Sequence, residues 1–334
     1  MLDVRRLRLL RELARRGTIA AVAEALAFSP SAVSQQLGVL EREAGLPLLE
    51  RTGRRVRLTP AGQNLVRHAE AVLERLEQAD ADLAEARGGL AGALRIGAFP
   101  TATRAIVPAA LVALARRHPG LEPMVCETDP AAVAHALRAG DLDVALVHVY
   151  DLVPAAREPG LATEPLYGEA MYLAEPAEQA PQPTADPGPG PGPDQGPGPR
   201  PGPGPGEAAA PDQGAVLRTH ADDPWITATP GTLCHAMTVR ACQAAGFTPR
   251  VRHQVDEFST VLALVAAGQG VAVVPQLGIT APAEPAVRLT RLRMQRRTLL
   301  AFRSGAARHP AVAAFGAALR ACVPADLARS HAAE

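Results

Sequence analysis

The stretch that decides the fold of this chain is Leu26-Ala27-Phe28-Ser29-Pro30-Ser31-Ala32-Val33-Ser34-Gln35-Gln36-Leu37, preceded by Thr18-Ile19-Ala20-Ala21 and followed by Leu40-Glu41. It predicts two short helices joined by a tight turn, because Ser29 is a good N-cap and Pro30 suits the first helical position. Val33, Leu37 and Leu40 recur at helical spacing, so we expect them to face a core.

The other face of the second helix carries only small or hydrogen-bonding side chains, namely Pro30, Ser31, Ser34 and Gln35. A helix that contacts base edges in the major groove of DNA needs such a face, without acidic groups. We therefore predict that these four residues contact DNA. An ordinary helical hairpin remains the alternative for this window taken alone.

The next residues predict a small basic hairpin. The run Leu48-Leu49-Glu50-Arg51-Thr52-Gly53-Arg54-Arg55-Val56-Arg57-Leu58-Thr59-Pro60-Ala61-Gly62 has the pattern of a strand, a turn at Gly53 and a second strand. Arg51, Arg54 and Arg55 crowd its tip and suit contact with phosphates. Residues 1–60 hold 11 Arg against 6 acidic residues, a net charge of +5, whereas the whole chain is neutral. This asymmetry favours the N-terminal segment as the part that binds a polyanion.

These motifs together resemble the winged helix-turn-helix of LysR-type transcriptional regulators. The resemblance covers about sixty residues without a gap, and the motifs that carry it run from Thr18 to Leu58-Thr59-Pro60-Ala61-Gly62. It implies a bacterial regulator of transcription that binds double-stranded promoter DNA through residues 1–60. One departure is notable. Family members often carry Gln-Pro after the Ser that opens the recognition helix, but this chain has Pro30-Ser31, so a base contact by that Gln cannot be transferred to position 30.

A long helix is predicted next, over residues 60–89. Thr59 caps it, Gly88-Gly89 ends it, and its apolar stripe consists of Leu65, Ala69, Val72, Leu76, Ala79 and Leu83. A solitary helix cannot bury such a stripe by itself, so we expect it to pair with a second copy. The resemblance likewise implies that this linker helix pairs with its copy in a homodimer. A homotetramer would contain two such dimers.

Strands and helices alternate from residue 92 to residue 325, which indicates parallel sheets covered by helices. We predict an α+β multi-domain protein whose effector-binding domain has two α/β lobes. Lobe one takes about residues 92–165 and 276–325, and lobe two about 166–275. A helix is expected at 105–117, and separate strands at 286–292 and 298–302. The two-lobed order resembles the family's effector domain, whose lobes are similar to periplasmic binding proteins.

A Pro/Gly-rich insertion is predicted within lobe two, over residues 176–214. Between residues 181 and 206, 19 of 26 residues are Pro or Gly, with a period of two that excludes collagen. Such a segment has too few apolar residues to offset chain entropy, so we expect a disordered loop. A polyproline segment that binds a partner protein is the alternative.

Two turns are candidates for binding a small-molecule effector of unknown identity. In open α/β sheets, ligands bind beyond the carboxyl ends of strands, near helix N-termini that favour anions. Thr101 and Thr103 lie at such a turn in lobe one. Thr229, Gly231 and Thr232 lie at the corresponding turn in lobe two, which we expect to face the first across a cleft. His148, near the end of a strand, is a further candidate. The alternative is that these Thr residues only cap helices.

The sequence favours no enzyme class, since it has no phosphate-binding loop, zinc-protease motif or nucleophile elbow. We expect no cofactor, no metal and no membrane contact, and a cytoplasmic location. RNA polymerase is an expected partner if the regulator is an activator. Two alternative functions stay open. Cys234 and Cys242 bracket a helix in lobe two, as would suit thiol redox sensing, although a disulfide would require that helix to melt. The chain could also be a constitutive DNA-binding protein without ligand.

Overall fold

The protein is described from a computed structural model, which describes residues 1–52, 55–86, 90–154, 158–177, 212–279 and 286–328. The described residues fall into two compact units. The first takes those within Met1–Val149, Ala155–Gly168 and Arg297–Glu334, and the second takes Tyr150–Pro154 and those within Glu169–Arg296. The chain therefore returns to the first unit at Arg297, whereas the sequence analysis placed this return at residue 276.

The N-terminal part of the first unit, which we call the head (residues 1–60), holds three helices and a hairpin: α1 (Val4–Arg16), α2 (Ile19–Ala25), α3 (Pro30–Ala44), β1 (Leu49–Thr52) and β2 (Arg55–Leu58). Asp3, Thr18 and Ser29 cap the three helices, as short polar side chains do. Gly17 and Gly45 end α1 and α3 in the left-handed conformation, both at φ +72°. A linker helix, α4 (Pro60–Ala86), follows directly.

The remainder of the first unit is an α/β part with parallel strands. Its elements are β3 (Gly92–Ala98), α5 (Pro100–Ala105), α6 (Val107–Arg117), β4 (Leu121–Glu127), α7 (Pro130–Ala139), β5 (Val144–Tyr150) and α11 (Pro310–Cys322), with a short α12 (Ala325–Ala328). β3 lies between β4 and β5 and is parallel to both. Ile96, Val144 and Phe315 are fully buried in this part.

The second unit contains α8 (Gln213–Arg218), β7 (Pro224–Thr227), α9 (Leu233–Ala244), β8 (Arg250–Gln254), α10 (Phe258–Ala266) and β9 (Ala272–Pro275). β7 pairs with β8 in parallel, and β6 (Leu161–Pro176) pairs with β9 in antiparallel register. The chain runs from one unit into the other along β6 and again along β10 (Val287–Arg303). Trp225 is fully buried in the core of this unit.

Three predicted elements were wrong in detail. The helix expected at 105–117 begins at Val107 as α6, and a separate short helix, α5, precedes it and ends at Ala105. Pro108 explains the break, because a proline ring clashes with the carbonyl four residues earlier and has no N–H to donate. The strands expected at 286–292 and 298–302 are one strand, β10, in which buried and exposed residues alternate through an arginine-rich middle. Gln213 and Gly214, predicted within the disordered insertion, begin helix α8.

The rest of the predicted insertion lies mainly outside the described residues, since residues 178–211 are not among them. Its predicted disorder therefore stays a prediction. The strand before it extends to Pro176, and the backbone N–H of Ala177 donates to the carbonyl of Ala286 at 2.7 Å.

Candidate DNA-binding face and sensory turns

The recognition helix α3 is held by a core and by two caps. Val33, Leu37 and Leu40 are at most 1 % exposed and pack in the head core, as their spacing predicted. Ser29 Oγ accepts the backbone N–H of Ala32 at 3.2 Å, and Gly45 ends the helix. The helix is thus fixed on one face, and its other face is left to solvent.

That other face carries the four predicted DNA contacts. Pro30, Ser31 and Gln35 are exposed and Ser34 is half-buried. Gln35 makes no side-chain hydrogen bond within the described part of the chain, so its amide is available to a partner. The neighbouring Gln36 differs, because its Oε1 accepts from Arg6 Nε at 2.9 Å.

The two strands of the predicted hairpin are present and pair in antiparallel register, with Thr52 opposite Arg55 and Arg51 opposite Val56. Arg54 lies outside the described residues, so its phosphate contact stays a prediction, as do those of Arg51 and Arg55. Sequence reasoning missed what positions the hairpin. Glu41 Oε1 accepts the backbone N–H groups of Leu48 at 2.9 Å and Leu49 at 3.0 Å, which ties the end of α3 to β1.

A close approach fixes the start of the linker helix against the head. Thr59 Oγ1 donates to the carbonyl of Pro47 at 2.9 Å and accepts the N–H of Gly62 at 3.0 Å. A Cβ at Gly62 would lie only 2.3 Å from the carbonyl oxygen of Leu48, so only glycine fits there. The Leu58-Thr59-Pro60-Ala61-Gly62 motif therefore packs the start of the linker helix α4 closely against the hairpin.

Further along α4, one set of apolar side chains is buried and another is exposed. Ala69, Leu73 and Ala81 are at most 4 % exposed. Val72, Leu76 and Leu83, which belong to the predicted stripe, are 40 %, 45 % and 58 % exposed. The chain by itself therefore leaves part of the linker stripe uncovered.

Charged groups join the head and the linker helix to the α/β part of the first unit, which the sequence did not predict. Arg15 donates to Glu70 of α4 at 3.0 Å and to the carbonyl of Pro159 at 2.6 Å, and Arg16 contacts His135 of α7. Burial, followed by repulsion from Arg138, lowers the pKa of Arg15. Burial raises the pKa of Glu77 on α4, against the pull of Arg303 at 3.4 Å.

Thr101 and Thr103, which were predicted to lie at a turn, belong to the short helix α5. Thr101 is 5 % exposed. Thr103 Oγ1 donates to the carbonyl of Phe99 at 3.2 Å, inside its own helix turn. His148 is 4 % exposed and lies edge-on to the ring of Phe99, with ring centroids 4.8 Å apart. These three residues are therefore brought into one neighbourhood around Phe99.

In the second unit, the turn at Thr229–Thr232 is held by its own hydrogen bonds. The backbone N–H of Thr229 donates to Asp256 Oδ1 at 2.9 Å, and its hydroxyl lies 3.0 Å from both carboxylate oxygens. The hydroxyl of Thr232 donates to the carbonyl of Thr229 at 2.8 Å and accepts the N–H of His235 at 3.2 Å. Gly231 takes φ +96°. The hydroxyl of Thr232 thus has the capping role that the sequence left open as the alternative, whereas the hydroxyl of Thr229 bonds the carboxylate of Asp256.

A buried polar network lies beside that turn. Cys234, the second residue of α9, is half-buried, and its Sγ lies 3.2 Å from the hydroxyl of Tyr150. Arg296 donates to Glu169 Oε1 at 2.8 Å, with both side chains at most 1 % exposed. Burial raises the pKa of Tyr150 well above its usual value. Little in the sequence predicted the Arg296–Glu169 ion pair, since an arginine among several other arginines is expected to be exposed to water.

Cys242, the second cysteine of the redox alternative, is shielded from solvent. Cys242 is fully buried, and burial raises the pKa of its thiol to about 12. Both cysteines belong to one intact helix, α9, where eight positions correspond to about 12 Å along the axis. Since a disulfide needs Cα atoms within about 7 Å, the helix excludes this pairing as it stands.

Within the described residues, no group of three or more His, Cys, Asp or Glu is arranged to hold a metal ion. None of the described helices is long and apolar enough to cross a bilayer.

Comparison with known proteins agrees with this organisation. Residues 4–63 match the model of the bacterial regulatory helix-turn-helix protein, lysR family. Residues 87–187 and 205–323 match the LysR substrate binding domain, and the interruption falls within the Pro/Gly-rich segment.

Two relatives align over most of their length. A probable hydrogen peroxide-inducible genes activator of Streptomyces viridosporus is 32 % identical over 307 residues, which cover 89 % of this chain and 87 % of the relative. The HTH-type transcriptional regulator TfdS of Cupriavidus pinatubonensis is 30 % identical over 276 residues, 82 % of each chain.

Solved structures share the fold. A full-length OxyR variant from Pseudomonas aeruginosa has a TM-score of 0.55 at 23 % identity and covers 96 % of this chain and 99 % of its own. A hydrogen peroxide-bound OxyR variant from Corynebacterium glutamicum has a TM-score of 0.53 at 25 % identity, covering 99 % and 96 %. The family models span most of the chain, from α1 to α11, and this protein therefore belongs to the LysR family of DNA-binding transcriptional regulators.

Proposed function

We propose that this regulator binds promoter DNA as a homo-oligomer through its head and that a small-molecule effector, bound in the α/β domain, controls it. The observation that carries the DNA-binding part is the recognition helix, whose face is exposed and free of acidic groups beside an arginine-rich hairpin. Gln35 is suited to pair with an adenine, whose N6 and N7 match its amide.

The arginines of the hairpin are proposed to contact phosphates. Arg54→Ala is expected to weaken binding to operator and random DNA alike and to lower the slope of log affinity against log salt by about one. Fluorescence anisotropy over a salt series measures both. Arg116→Ala, an exposed arginine on α6, is the matched control and is expected to leave the slope unchanged. A loss confined to operator DNA would make Arg54 a base contact and contradict the assignment.

The uncovered apolar residues of α4 support self-association. Val72, Leu76 and Leu83 recur at positions that share a helix face, and such a face is stabilised by a second helix. Leu76→Glu is expected to shift sedimentation toward monomer. Arg75→Glu, an exposed change of charge on the same helix, is expected to leave the oligomeric state as it is.

Each unit offers its own candidate contacts for an effector, which are Thr101, Thr103 and His148 in the first unit and Thr229, Gly231 and Thr232 in the second. Asp256 refines the chemistry, because its carboxylate already accepts from Thr229 and would repel a carboxylate placed on that hydroxyl. An anionic group of the effector is therefore better suited to the residues around Thr103.

Thermal unfolding of the full-length protein against a panel of metabolites tests this part. A ligand that stabilises the protein and changes its operator affinity supports control by an effector. Thr103→Val should weaken the binding of that ligand. If no metabolite of a broad panel raises the unfolding temperature, the alternative of a constitutive DNA-binding protein without ligand is favoured.

Thiol redox sensing is a second candidate, favoured by the Cys234–Tyr150 contact and by the relatives named as peroxide-inducible activators. The geometry of α9 favours oxidation of Cys234 alone over a disulfide with Cys242. Treatment with hydrogen peroxide followed by mass spectrometry tests this, with operator binding as the readout. Cys234→Ser should abolish any response and Cys242→Ser should preserve it. A response that requires both cysteines would instead indicate that α9 melts to form the disulfide.

A further inference from the structure

Phe28 is an exposed aromatic ring at the start of the recognition helix. It is 56 % exposed and is the only aromatic among the exposed large apolar side chains of the described residues. The chain has six phenylalanines, and Phe99, Phe302 and Phe315 are at most 3 % exposed. A single exposed apolar side chain is ordinary on a protein surface, so it is the position of Phe28 at the start of the recognition helix that indicates a role outside the head core.

The usual structural role for an apolar residue at this position leaves much of the Phe28 ring unused. The residue before an N-cap often packs on the fourth helical residue, which is Val33 in α3. Val33 is 1 % exposed in the head core, whereas more than half of Phe28 remains open to solvent.

The backbone holds the ring in a defined place. The N–H of Phe28 donates to the carbonyl of Ala23 at 2.9 Å. Ala27, immediately before it, takes φ +53°, a left-handed conformation that is uncommon for a residue with a Cβ. The turn therefore presents Phe28 on a rigid support, which limits the entropy lost when the ring contacts a partner.

The groups beside the ring make the first turn of α3 largely apolar. Pro30 has no N–H, and the hydroxyls of Ser29 and Ser31 lie 3.0 Å apart and hydrogen bond to each other. Ser29 is further engaged as the cap. The N-terminal residues of a recognition helix approach base edges, where the apolar feature of the major groove is the 5-methyl group of thymine. The head's net charge of +5 favours DNA as the occupant of this surface.

We propose that Phe28 is a specificity-determining residue that packs against the 5-methyl group of a thymine in each operator half-site. The proposal rests on DNA binding through the head. It assigns the first helical turn to apolar recognition and leaves hydrogen-bonded recognition to Ser34 and Gln35.

The test removes single methyl groups from the DNA. Full-length protein first enriches an operator from a random duplex library, and each thymine of that operator is then replaced in turn by deoxyuridine. One position per half-site is expected to lose about three- to fivefold in affinity, the size expected for one buried carbon. Phe28→Ala should bind the thymine and deoxyuridine duplexes equally at that position, and Phe28→Leu should retain part of the preference.

Leu46→Ala is the matched control, since Leu46 is 45 % exposed on the head but lies outside the recognition helix. It should keep the full thymine preference, and circular dichroism checks that each variant is folded. The proposal is overturned if no thymine replacement lowers affinity, or if Phe28→Ala retains the wild-type preference. It is also overturned if Phe28→Ala weakens all duplexes equally, as a sugar or phosphate contact would. Failure to enrich any operator would instead count against the proposed function itself.

Discussion

The exposed face of α3 and the turn at Thr229–Thr232 differ in how far their polar side chains are already hydrogen bonded. On α3, the side chain of Gln35 is exposed and makes no hydrogen bond in the described part of the chain. At Thr229–Thr232, both hydroxyls are already bonded, one to Asp256 and one within the turn. A ligand at that turn would have to replace internal hydrogen bonds, whereas a partner of the Gln35 amide would not.

The largest expected effect concerns the second unit alone. Glu169→Gln leaves Arg296 buried without its carboxylate, and breaking a buried ion pair costs about 3–5 kcal/mol. The chain has one tryptophan, Trp225, fully buried in this unit, so its fluorescence during urea unfolding follows this part of the molecule.

The exposed pair Arg218–Asp212 of the same unit supplies the control for this variant. Arg218→Gln should change stability by less than about 1 kcal/mol, because water screens exposed ion pairs. Equal effects of the two substitutions would show that the buried pair does not hold the second unit together.

The next effect concerns the head. Gly62→Ala places a methyl group against the carbonyl of Leu48, and such overpacking costs about 1–3 kcal/mol. Gly38→Ala, inside α3 with no atom within 4 Å of the added Cβ, should instead stabilise the head by about 0.5–1 kcal/mol. Helical circular dichroism during thermal unfolding measures both. If Gly38→Ala also destabilised the head, helix α3 would not tolerate an added methyl group at that position.

Gln35→Ala tests whether the free amide of the recognition helix contacts a base. It should relax the operator consensus at one position per half-site, by about 1–3 kcal/mol of discrimination, with the fold intact. Binding-site selection with wild type and variant measures this, and identical selected profiles would remove Gln35 from the DNA contacts. The comparison with Phe28→Ala separates hydrogen-bonded from apolar recognition on one helix.

The smallest expected effect belongs to the Pro/Gly-rich segment. Replacing residues 181–206 by a short Gly-Ser linker should change stability by less than about 1 kcal/mol, because loop-closure entropy varies slowly with length. Operator affinity and oligomeric state should also persist. Loss of promoter response by a folded deletion variant would favour the alternative of a polyproline segment that binds a partner.

Elements with strong local signals were predicted closely. The linker helix was expected from residue 60 and begins at Pro60. The recognition helix and its N-cap Ser29 were likewise confirmed, because such a cap acts within a few residues of itself. The middle of β10 was missed, since the burial of Arg296 depends on Glu169, which lies 127 residues away.

The sequence by itself determined the helix-turn-helix, the family and the alternation of strands and helices, because caps, periodicity and charge operate over short distances along the chain. Only the tertiary structure decided which hydroxyls are already used, through Asp256 at Thr229, and which apolar residues of α4 remain uncovered. It also decided that Cys242 is buried within an intact helix while Cys234 meets Tyr150. Desolvation and pairing depend on groups brought together from distant parts of the chain, and no local pattern encodes them.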